Sequence, residues 1–400
     1  MISVDEALAR ILDGAWPLDE EAVPIDAAAG RVLAADLVAR RTQPPFDASA
    51  MDGYAVRGAD VAAIPARLRL LGTAAAGHGF DGAVGPSEAV RIFTGAPMPA
   101  GADTVVLQEN TTVETEGMVT VTTVTATGRH CRKAGLDFTE GERGLASGTV
   151  LDFRAVSLAA AMNHATVPAV RRPRVAIVST GDELVPPGGA PGPDQIVASN
   201  HVGVAALVAR AGGVPLMLGI AGDTLEALAG AVERAETARA DILVTLGGAS
   251  VGDHDLVQTA LGAAGMQLDF WRIAMRPGKP LMYGRLGRMR VLGLPGNPVS
   301  SLVCGLLFLE PLVAALGGRP SGPPTSEPAL LGGGLPGNDN RRDHVRAKLV
   351  RRAGGMAIAT PLPVQDSSMI SALAEAGCLI IREPHSPPTA AGDLCLVIPL

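Results

Sequence analysis

The sequence predicts a multidomain α/β protein in which a central three-layer domain with a parallel sheet is flanked by small β-rich domains and a C-terminal β-barrel-like domain. The chain has 400 residues, more than one hydrophobic core usually organises. Between residues 172 and 320, apolar strands alternate with helix-compatible segments, which is typical of βαβ units. The flanking segments are instead short strands separated by Gly and Pro turns.

The N-terminal part predicts one helix followed by small β modules. Ser3 and Glu6 have the spacing of a capping box, and apolar residues then recur at helical intervals. From residues 22 to 150 the pattern changes to short strands. Residues 154–166 favour a helix, and 171–173 (Arg-Arg-Pro) indicate a linker with a domain boundary near residue 172. The clearest of the short strands are 67–71, 104–108 and 118–125.

The central part predicts a parallel sheet with covering helices. Asp223 and Glu226 have the spacing of a helix cap, and a further helix is expected to begin near Pro298. After Gly317 a Pro/Gly/Ser-rich segment precedes short strands, which predicts a final small β domain. In the central part we expect a strand at 174–180, a helix at 200–211 and strands at 214–220, 241–246 and 290–294.

Composition narrows the function classes. A net charge of −7 leaves no basic footprint for nucleic acid. The four cysteines are far apart without CxxC spacing, and the N-terminus lacks a signal-peptide pattern, so a reducing, cytoplasmic location is expected. The most apolar stretch, 301–318, contains Glu310 and Pro311, so we expect no membrane span of about 18 to 20 apolar residues. No HExxH or GxxxxGK[ST] motif occurs.

Four Gly-containing loops at strand ends predict a site for a phosphate-bearing ligand. The carboxyl edge of an open parallel sheet is where ligands bind. Glycines there expose backbone amides, and Asn297 with Pro298 predicts a helix start whose free amides face an anion. Each loop alone is better explained as an ordinary turn, and it is their expected convergence at one sheet edge that favours a binding site. The candidate binding residues in these loops are Thr180, Gly181, Asp182, Gly247, Gly248, Ser250, Gly252, Arg276, Pro277, Gly278, Pro295, Gly296, Asn297 and Ser300.

Charged residues suggest an oxyanion and a divalent cation. Arg276 and Lys279 lie on a Pro-stiffened loop that can hold cations toward an oxyanion. A second basic cluster, at Arg341, Arg342, Arg346 and Lys348, is equally compatible with a solvated face. Carboxylates beside phosphate sites suit Mg²⁺. The acidic candidates are Asp52, Asp137, Asp182, Glu183, Asp223, Asp253 and Asp255.

Short sequence motifs distinguish between the possible classes of enzyme. Residues 45–56, PFDASAMDGYAV, resemble the signature PxFDxSAMDGYA of the molybdopterin molybdenumtransferases. Further motifs similar to that family's follow in order over essentially the whole chain, and a eukaryotic relative is the C-terminal domain of gephyrin. These motifs are RIFTGAP at 91–97, STGDEL at 179–184, GGASVGDHD at 247–255, RPGKP at 276–280 and LPGNPVSS at 294–301.

The resemblance implies an elongated four-domain subunit that forms a homodimer with shared active sites. The implied domains are 1–22 with 132–171 (helical linker), 23–131 (β-rich, contributing to the partner's site), 172–318 (α/β, molybdopterin-binding) and 319–400 (β). Asp52 and Thr94 would form the wall contributed by the partner, and Asp137 matches a GED-like position. The implied catalytic residues on the α/β side are Glu183, Asp223, Asp255 and Lys279, with Glu183 and Asp255 as metal ligands and Arg342 beside the incoming oxyanion.

The implied reaction is Mg²⁺-assisted. Molybdate takes its place at the dithiolene sulfurs of adenylylated molybdopterin, and the phosphoanhydride is hydrolysed with release of AMP. Docking with a molybdopterin adenylyltransferase and with recipient molybdoenzymes is also implied, whereas nucleic acid and membrane are not expected as partners. Two residues depart from the family pattern: Arg276 stands where lysine is common, and Ala48 where asparagine is usual. The alternatives are an adenylyltransferase-like enzyme and a gephyrin-like dimeric scaffold, and molybdate and tungstate are not distinguished.

Overall fold

The structure, a computed structural model, describes residues 1–114, 117–247 and 256–400. The chain divides into two compact units. The first unit comprises residues 1–21, 30–32 and 170–400, and the second comprises 22–29 and 33–169.

Helices and strands are numbered here in chain order. The α-helices are α1 (Val4–Leu12), α2 (Phe153–Ala161), α3 (Asn200–Arg210), α4 (Leu225–Thr237), α5 (Leu256–Ala263), α6 (Pro298–Cys304), α7 (Glu310–Leu316) and α8 (Ile370–Glu375). The strands are β1 (Glu20–Pro24), β2 (Leu37–Val38), β3 (Ala48–Ser49), β4 (Gly53–Val56), β5 (Ala66–Ala74), β6 (Glu88–Ile92), β7 (Thr104–Leu107), β8 (Thr111–Val113), β9 (Met118–Val121), β10 (Cys131–Arg132), β11 (Arg143–Leu145), β12 (Thr166–Val170), β13 (Arg174–Thr180), β14 (Leu184–Val185), β15 (Ile196–Val197), β16 (Val214–Ala221), β17 (Ile242–Leu246), β18 (Gln267–Arg272), β19 (Met275–Arg276), β20 (Pro280–Leu286), β21 (Met289–Leu294), β22 (Glu327–Leu331), β23 (Arg342–Val350), β24 (Ile358–Pro361), β25 (Cys378–Arg382) and β26 (Leu394–Pro399).

Helix α1 begins where its capping signal predicts. The Ser3 hydroxyl accepts a hydrogen bond from the Glu6 amide at 3.1 Å, which satisfies one of the unpaired amides of the first turn. The apolar face of the helix packs against the core of the first unit, as the periodicity predicts. The buried residues of this face are Val4, Ala7, Leu8 and Ile11.

The first unit is built on a six-stranded sheet in the order β16-β13-β17-β21-β20-β18. Successive residues of β13 face opposite sides: Val175 and Ile177 join the core under α1, α3 and α6, whereas Ala176 and Val178 join the core under α4 and α5. The predicted three-layer α/β domain is therefore confirmed. Strands β16, β13, β17 and β21 are parallel. At one edge β20 pairs antiparallel with β21, and β18 pairs antiparallel with β20, which the sequence pattern does not predict.

The apolar segment before the last domain is one buried helix. Among the described residues, only Pro298–Leu316 is a helix long and apolar enough to cross a membrane, and 83% of its most apolar 18-residue window is buried inside the protein. The expectation that Glu310 and Pro311 interrupt this run is wrong. A π-helical turn at Gly305–Leu309 precedes them, and such a turn accommodates a proline that cannot donate. Glu310 pairs with Arg210 at 2.7 Å.

The C-terminal strands form a closed five-stranded β-barrel, as predicted. The strands follow the order β23-β24-β22-β26-β25, and an additional pairing of β23 with β25 closes the circle. Ile380 and Val397 point into the barrel core. The neighbouring Leu379 and Ile398 instead pack against the core of the central sheet. The alternation of these strands therefore serves both the barrel interior and its attachment to the central domain.

The second unit contains another six-stranded sheet, in the order β7-β4-β6-β5-β9-β8. Tyr54 and Ala55 in β4 contribute to cores on opposite faces of it. Helix α2 belongs to this unit, and the prediction that it extends to residue 166 is wrong. Asn163 adopts a left-handed backbone with φ of 70°, which ends the helix, and β-branched Thr166 begins β12.

Candidate functional site

A large cavity lies at the carboxyl edge of the central sheet. Three parallel strands end there, β13 at Thr180, β17 at Leu246 and β21 at Leu294. The cavity has a volume of about 880 Å³, which is in the range of ligand sites in enzymes. Residues of all three predicted loop regions line it, including Gly181, Gly247 and Gly296. The predicted convergence of these loops at one edge is therefore confirmed for their described residues.

The fourth loop, Arg276–Pro280, reaches the same edge for a different reason. Strand β20 runs antiparallel to β21, with Met282 opposite Gly293. The start of β20 therefore lies beside the end of β21, and Pro280 lines the cavity together with Pro295. Lys279 is exposed immediately before this proline. Among the described residues, no hydrogen bond or ion pair engages its amine.

Glycine is required where the loops approach one another. Gly247 has φ of 102°, which L side chains rarely adopt. A Cβ atom there would lie 2.7 Å from the Thr180 carbonyl oxygen and 2.9 Å from the Thr180 hydroxyl. The Thr180 hydroxyl in turn donates to the Leu246 carbonyl at 3.4 Å. The backbone is thus close-packed at this point, as expected for loops that present amides to a ligand.

Two carboxylates line the cavity and a third supports them. Glu183 and Asp223 border the cavity, and the Asp223 amide donates to Asp182 Oδ1 at 3.0 Å. The expectation that Asp223 caps a helix is wrong, because Thr224 is the N-cap of α4 and its hydroxyl accepts from the Ala227 amide at 3.1 Å. The side chain of Asp223 is consequently not used for capping.

The loop before α6 is tied to the last domain. Pro298 occupies the first helical position as predicted, but the Val299 amide donates to the Ser367 carbonyl at 3.0 Å. The expectation of a helix start with all its amides free is therefore wrong. Asn297 does not cap with its side chain, and its amide group donates to the Ser367 hydroxyl at 3.0 Å. Ser300 is buried and lines the cavity.

Part of the predicted site lies outside the described residues. Gly248, Ser250, Gly252 and Asp255 fall within 248–255, so their roles stay predictions. The described residues contain no group of three or more His, Cys, Asp or Glu side chains arranged around a metal. Mg²⁺ commonly uses one or two carboxylates and completes its coordination with water and substrate phosphate. The hard oxygens of Glu183 at the cavity wall fit such a site.

The predicted cation Arg276 is engaged in ion pairs. Its guanidinium lies 2.6 Å from Asp339 and 3.6 Å from Asp343. It lies in β19, which pairs with β23 of the barrel, and Pro277 follows it. Gly278 has φ of 111°, and a Cβ atom there would meet the buried Cys304 sulfur at 2.5 Å. A ligand role for Arg276 would require these pairs to open.

The second basic cluster is largely neutralised. Arg342 makes a bidentate contact with Asp5, at 2.7 and 2.8 Å, and a 2.9 Å contact with Glu383. Arg341 pairs with Asp339 at 2.7 Å and Lys348 with Glu375 at 2.6 Å. Arg342 is thus placed to hold α1 against the barrel, and its assignment to the incoming oxyanion stays a prediction.

One arginine of that cluster differs from the others. Arg346 is only 2% exposed, and its guanidinium donates to the Gln365 side-chain oxygen and to the Asp366 carbonyl, at 3.3 and 2.8 Å. Both acceptors are uncharged, and no carboxylate pairs with it among the described residues. With Arg276 and Arg382 it lines a second cavity of about 180 Å³. Sequence reasoning did not select Arg346 as a site residue, because only its buried, unpaired state distinguishes it.

Other residues of the main cavity were also missed. Ser368 lines it from the last domain, and Asn200 lines it from the start of α3. The Asn200 amide group donates to the Gly296 carbonyl at 2.7 Å, which fixes the loop after β21. Asn200 stands at the predicted helix start, a position at which asparagine normally indicates only a cap.

In the second unit, Asp52 and Thr94 are brought together. Asp52 Oδ1 accepts from the Thr94 amide and from its hydroxyl, both at 2.8 Å. These hydrogen bonds hold the pKa of the exposed Asp52 carboxyl below its ordinary value, with Arg91 contributing less. Arg91 stacks on Phe93 and Tyr54, its guanidinium carbon lying 4.7 and 5.2 Å from the ring centroids. The motif at 45–56, which contains Asp52, and the motif at 91–97, which contains Thr94, therefore form one exposed site that carries a carboxylate.

Asp137 lies on a separate loop of the second unit. Its amide donates to the Gln43 carbonyl at 3.0 Å. The same loop is anchored by Lys133 and the Ala134 amide, which contact the Asp47 carboxylate at 2.7 and 2.9 Å. The Asp137 side chain is exposed, and its role stays a prediction.

Comparisons with known protein families cover nearly the whole chain. A model described as the MoeA N-terminal region (domain I and II) matches residues 2–163. A probable molybdopterin binding domain matches residues 176–315, and the MoeA C-terminal region (domain IV) matches residues 328–400.

Curated relatives and solved structures agree with these matches. Molybdopterin molybdenumtransferase of Haemophilus influenzae is 32% identical over 401 residues, covering 100% of this chain and 98% of its own. The enzyme of the same name from Bacillus subtilis is 34% identical, covering 95% of this chain and 90% of its own. Two structures of the molybdopterin biosynthesis MoeA protein from Pyrococcus horikoshii have TM-scores of 0.84 and 0.80 at 29% and 26% identity, and cover 100% of this chain and 99% and 100% of theirs.

The fold and the family match define a multidomain α/β enzyme of the molybdopterin-binding class, with a candidate ligand cavity at the carboxyl edge of its central sheet. The similarity extends through all domains to a single kind of enzyme. The chain belongs to the molybdopterin molybdenumtransferase family, and it is a transferase of molybdenum cofactor biosynthesis.

Proposed function

We propose that the protein inserts molybdenum from molybdate into adenylylated molybdopterin and releases AMP by hydrolysis of the phosphoanhydride. The main observation behind this proposal is the 880 Å³ cavity in which glycine-containing strand ends meet the carboxylates Glu183 and Asp223. A diphosphate-linked ligand needs backbone amides and a metal or cations near its phosphates. The loops and carboxylates of this cavity supply groups of both kinds.

The phosphate end of the ligand would lie at the loops that end β13, β17 and β21. The close approach of Gly247 to Thr180 keeps side chains away from this part of the cavity. Glu183, with Asp255 as its predicted partner, would hold Mg²⁺, which when bound neutralises charge on phosphate oxygens. Lys279 adds a cation beside the same edge, where it can stabilise negative charge on departing phosphate.

Molybdate would approach from the side of Arg346. A buried guanidinium with only uncharged acceptors retains the capacity to bind an oxyanion bidentately. Residues 365–368 connect it to the main cavity: Gln365 and Asp366 contact Arg346, and Ser368 lines the cavity. A path for the oxyanion along this segment is part of the proposal, and tungstate, with nearly the same size and charge, would be accommodated similarly.

We further propose a cytoplasmic homodimer in which Asp52 and Thr94 complete the site of the partner subunit. Their paired, exposed arrangement supports this role, because Thr94 keeps the Asp52 carboxylate ionised and oriented. Phe46, Met51 and Phe93 beside them are each about 40% exposed, as expected of residues that are covered in an interface. Docking of an adenylyltransferase and of recipient molybdoenzymes is proposed on the family resemblance alone.

The test is release of AMP from adenylylated molybdopterin by purified protein with Mg²⁺, with and without molybdate. Wild-type protein should release AMP in a molybdate-dependent manner. Asp52→Ala and Glu183→Ala should each reduce release by about 100-fold or more, the range expected for groups that position or stabilise reacting charge. Glu226→Ala is a matched control, because Glu226 is an exposed carboxylate in the first turn of α4 outside the cavity lining.

Mixing the two inactive variants tests the shared site. If Asp52 acts across the dimer, subunit exchange between Asp52→Ala and Glu183→Ala restores one intact site per heterodimer and about a quarter of the wild-type activity. If both residues act within one subunit, mixing restores nothing. A well-folded wild-type dimer that releases no AMP would contradict the transferase proposal and favour a binding scaffold.

A further inference from the structure

The main cavity has two chemically different walls. One part of the lining is polar, with Asp223 and Asn297 on the loops after β16 and β21 and Ser300 in α6. The other wall includes Ile196 and Val197, whose aliphatic side chains are 59% and 43% exposed. Exposed aliphatic groups in a cavity provide surface that an apolar part of a ligand can cover. The polar wall accounts for phosphates and leaves this apolar wall unexplained.

The apolar wall is held in a defined conformation. Strand β15 pairs in parallel with β14, and the Ile196 amide donates to the Glu183 carbonyl at 2.7 Å. The Ala198 amide donates to the Val185 carbonyl at 2.9 Å. The two aliphatic side chains are therefore attached to the same backbone ladder as Glu183. A ligand group that contacts Ile196 or Val197 therefore lies at a defined distance from the backbone of Glu183.

We propose that Ile196 and Val197 are specificity-determining residues that contact a planar nitrogen heterocycle of the bound ligand. This inference rests on the proposed function, in which the ligand carries two such ring systems, the pterin and the adenine. A flat ring presents a large apolar surface. The side chains of Ile196 and Val197 leave their strand on opposite sides, but both residues line the cavity, so each can contact part of such a ring. A cavity of 880 Å³ can hold a ring on this wall while the phosphates occupy the polar wall.

The experiment is direct binding measured by titration calorimetry with the Ile196→Thr/Val197→Thr double variant. Threonine keeps the β-branched shape that suits the strand and removes most of the apolar surface. Affinity for adenylylated molybdopterin should fall by about tenfold, from partial loss of two apolar contacts. Affinity for pyrophosphate, which lacks a ring, should stay unchanged. Ile196→Leu/Val197→Ile should restore ring binding.

The control is Leu394→Thr/Leu396→Thr, a matched pair of exposed aliphatic residues on β26, which should change neither affinity. AMP alone identifies the ring: a loss with AMP assigns the wall to adenine, and a loss confined to the full ligand assigns it to the pterin. Unchanged binding of the full ligand, or an equal loss for pyrophosphate, would overturn the inference while the proposed function stands. Failure of wild-type protein to bind adenylylated molybdopterin would instead overturn both.

Discussion

Replacing Arg290 by methionine should destabilise the first unit by about 3 kcal/mol. Arg290 is 6% exposed and completes the C-terminal end of α1, where helix carbonyls lack partners. It donates to the carbonyls of Ile11 and Asp13 at 3.1 and 3.0 Å, to the Tyr283 hydroxyl at 2.6 Å, and to the Gly14 carbonyl. Methionine keeps an unbranched apolar stem and removes all of these donors.

The size of the expected loss of stability depends on which of these acceptors are buried. Ile11 and Tyr283 are fully buried, so each hydrogen bond that they accept from the charged guanidinium contributes about 1.5 to 3 kcal/mol. The loss should lie at the low end of this range, because the Tyr283 hydroxyl still donates to the Ile11 carbonyl at 3.2 Å. Asp13 and Gly14 are exposed, so their carbonyls regain hydrogen bonds to water at little cost. The sum over the two buried acceptors is about 3 kcal/mol, near the upper end of ordinary single substitutions.

The assay is urea unfolding followed by tryptophan fluorescence. Both tryptophans of the chain, Trp16 and Trp271, lie in the first unit, so the signal reports that unit alone. With a slope of about 3 kcal/mol per molar urea, the midpoint should fall by about 1 M. Arg285→Met is the control: Arg285 is 43% exposed and also contacts Asp13, and its loss should cost below about 1 kcal/mol. Equal midpoints for the two variants would refute the argument.

Three further predictions concern the site and the barrel. Gly247→Ala should destabilise the first unit by about 2 to 4 kcal/mol and abolish ligand binding, because its Cβ would lie 2.7 Å from the Thr180 carbonyl oxygen at a φ of 102°. Thr94→Val removes one of two donors to Asp52 and should raise the pKa of that carboxyl toward its ordinary value in an NMR titration. Burial lowers the pKa of His344 to about 3 from 6.5. Between these two pH values the imidazole is neutral in the folded protein and takes up a proton on unfolding. The free energy of unfolding therefore decreases as the pH falls from 6.5 toward 3, by up to about 1.4 kcal/mol per pH unit. His344→Phe should make unfolding curves less dependent on pH in this window.

Each of these predictions has a result that contradicts it. Gly262→Ala, in α5 with open space around the added Cβ, is the control for Gly247→Ala and should be neutral or stabilising; comparable losses in both would argue against a steric cause. An unchanged Asp52 pKa in Thr94→Val would mean that the Thr94 amide alone sets it. An unchanged pH dependence in His344→Phe would mean that other groups dominate acid unfolding.

The sequence predicts where helices begin and strands end when the residues that interact there are close together in the chain. The Ser3 cap, Pro298 at the first position of α6 and the Gly-containing ends of β13 and β17 depend on neighbours within a few residues. The prediction of Asp223 as the cap of α4 is wrong because the next residue, Thr224, is also a favoured capping type and takes this position. Only the backbone conformation separates them.

Interactions between distant residues limit what the sequence can predict about the site. Arg342 and Asp5 are 337 positions apart, and their contact decides that this arginine is neutralised. The Val299 amide is likewise taken by Ser367 from the last domain. Arg346 has the same residue type as its neighbours in β23, and it differs only because no carboxylate reaches it among the described residues. The charge of a residue type therefore identifies candidate anion-binding residues. Which of them can bind an anion depends on whether the side chain is buried and whether a carboxylate already pairs with it.

The Arg276–Pro280 loop lies at the predicted edge of the sheet, although the prediction assumed a purely parallel sheet. In a purely parallel sheet, a loop that precedes a strand lies at the amino edge, opposite the ligand site. This loop precedes β20, so parallel order would have placed Lys279 far from the Gly247 and Pro295 loops. Because β20 runs antiparallel to β21, its beginning lies beside the end of β21. The antiparallel edge therefore brings a cation-bearing loop to the edge of the sheet where the Gly-containing loops after β13, β17 and β21 begin.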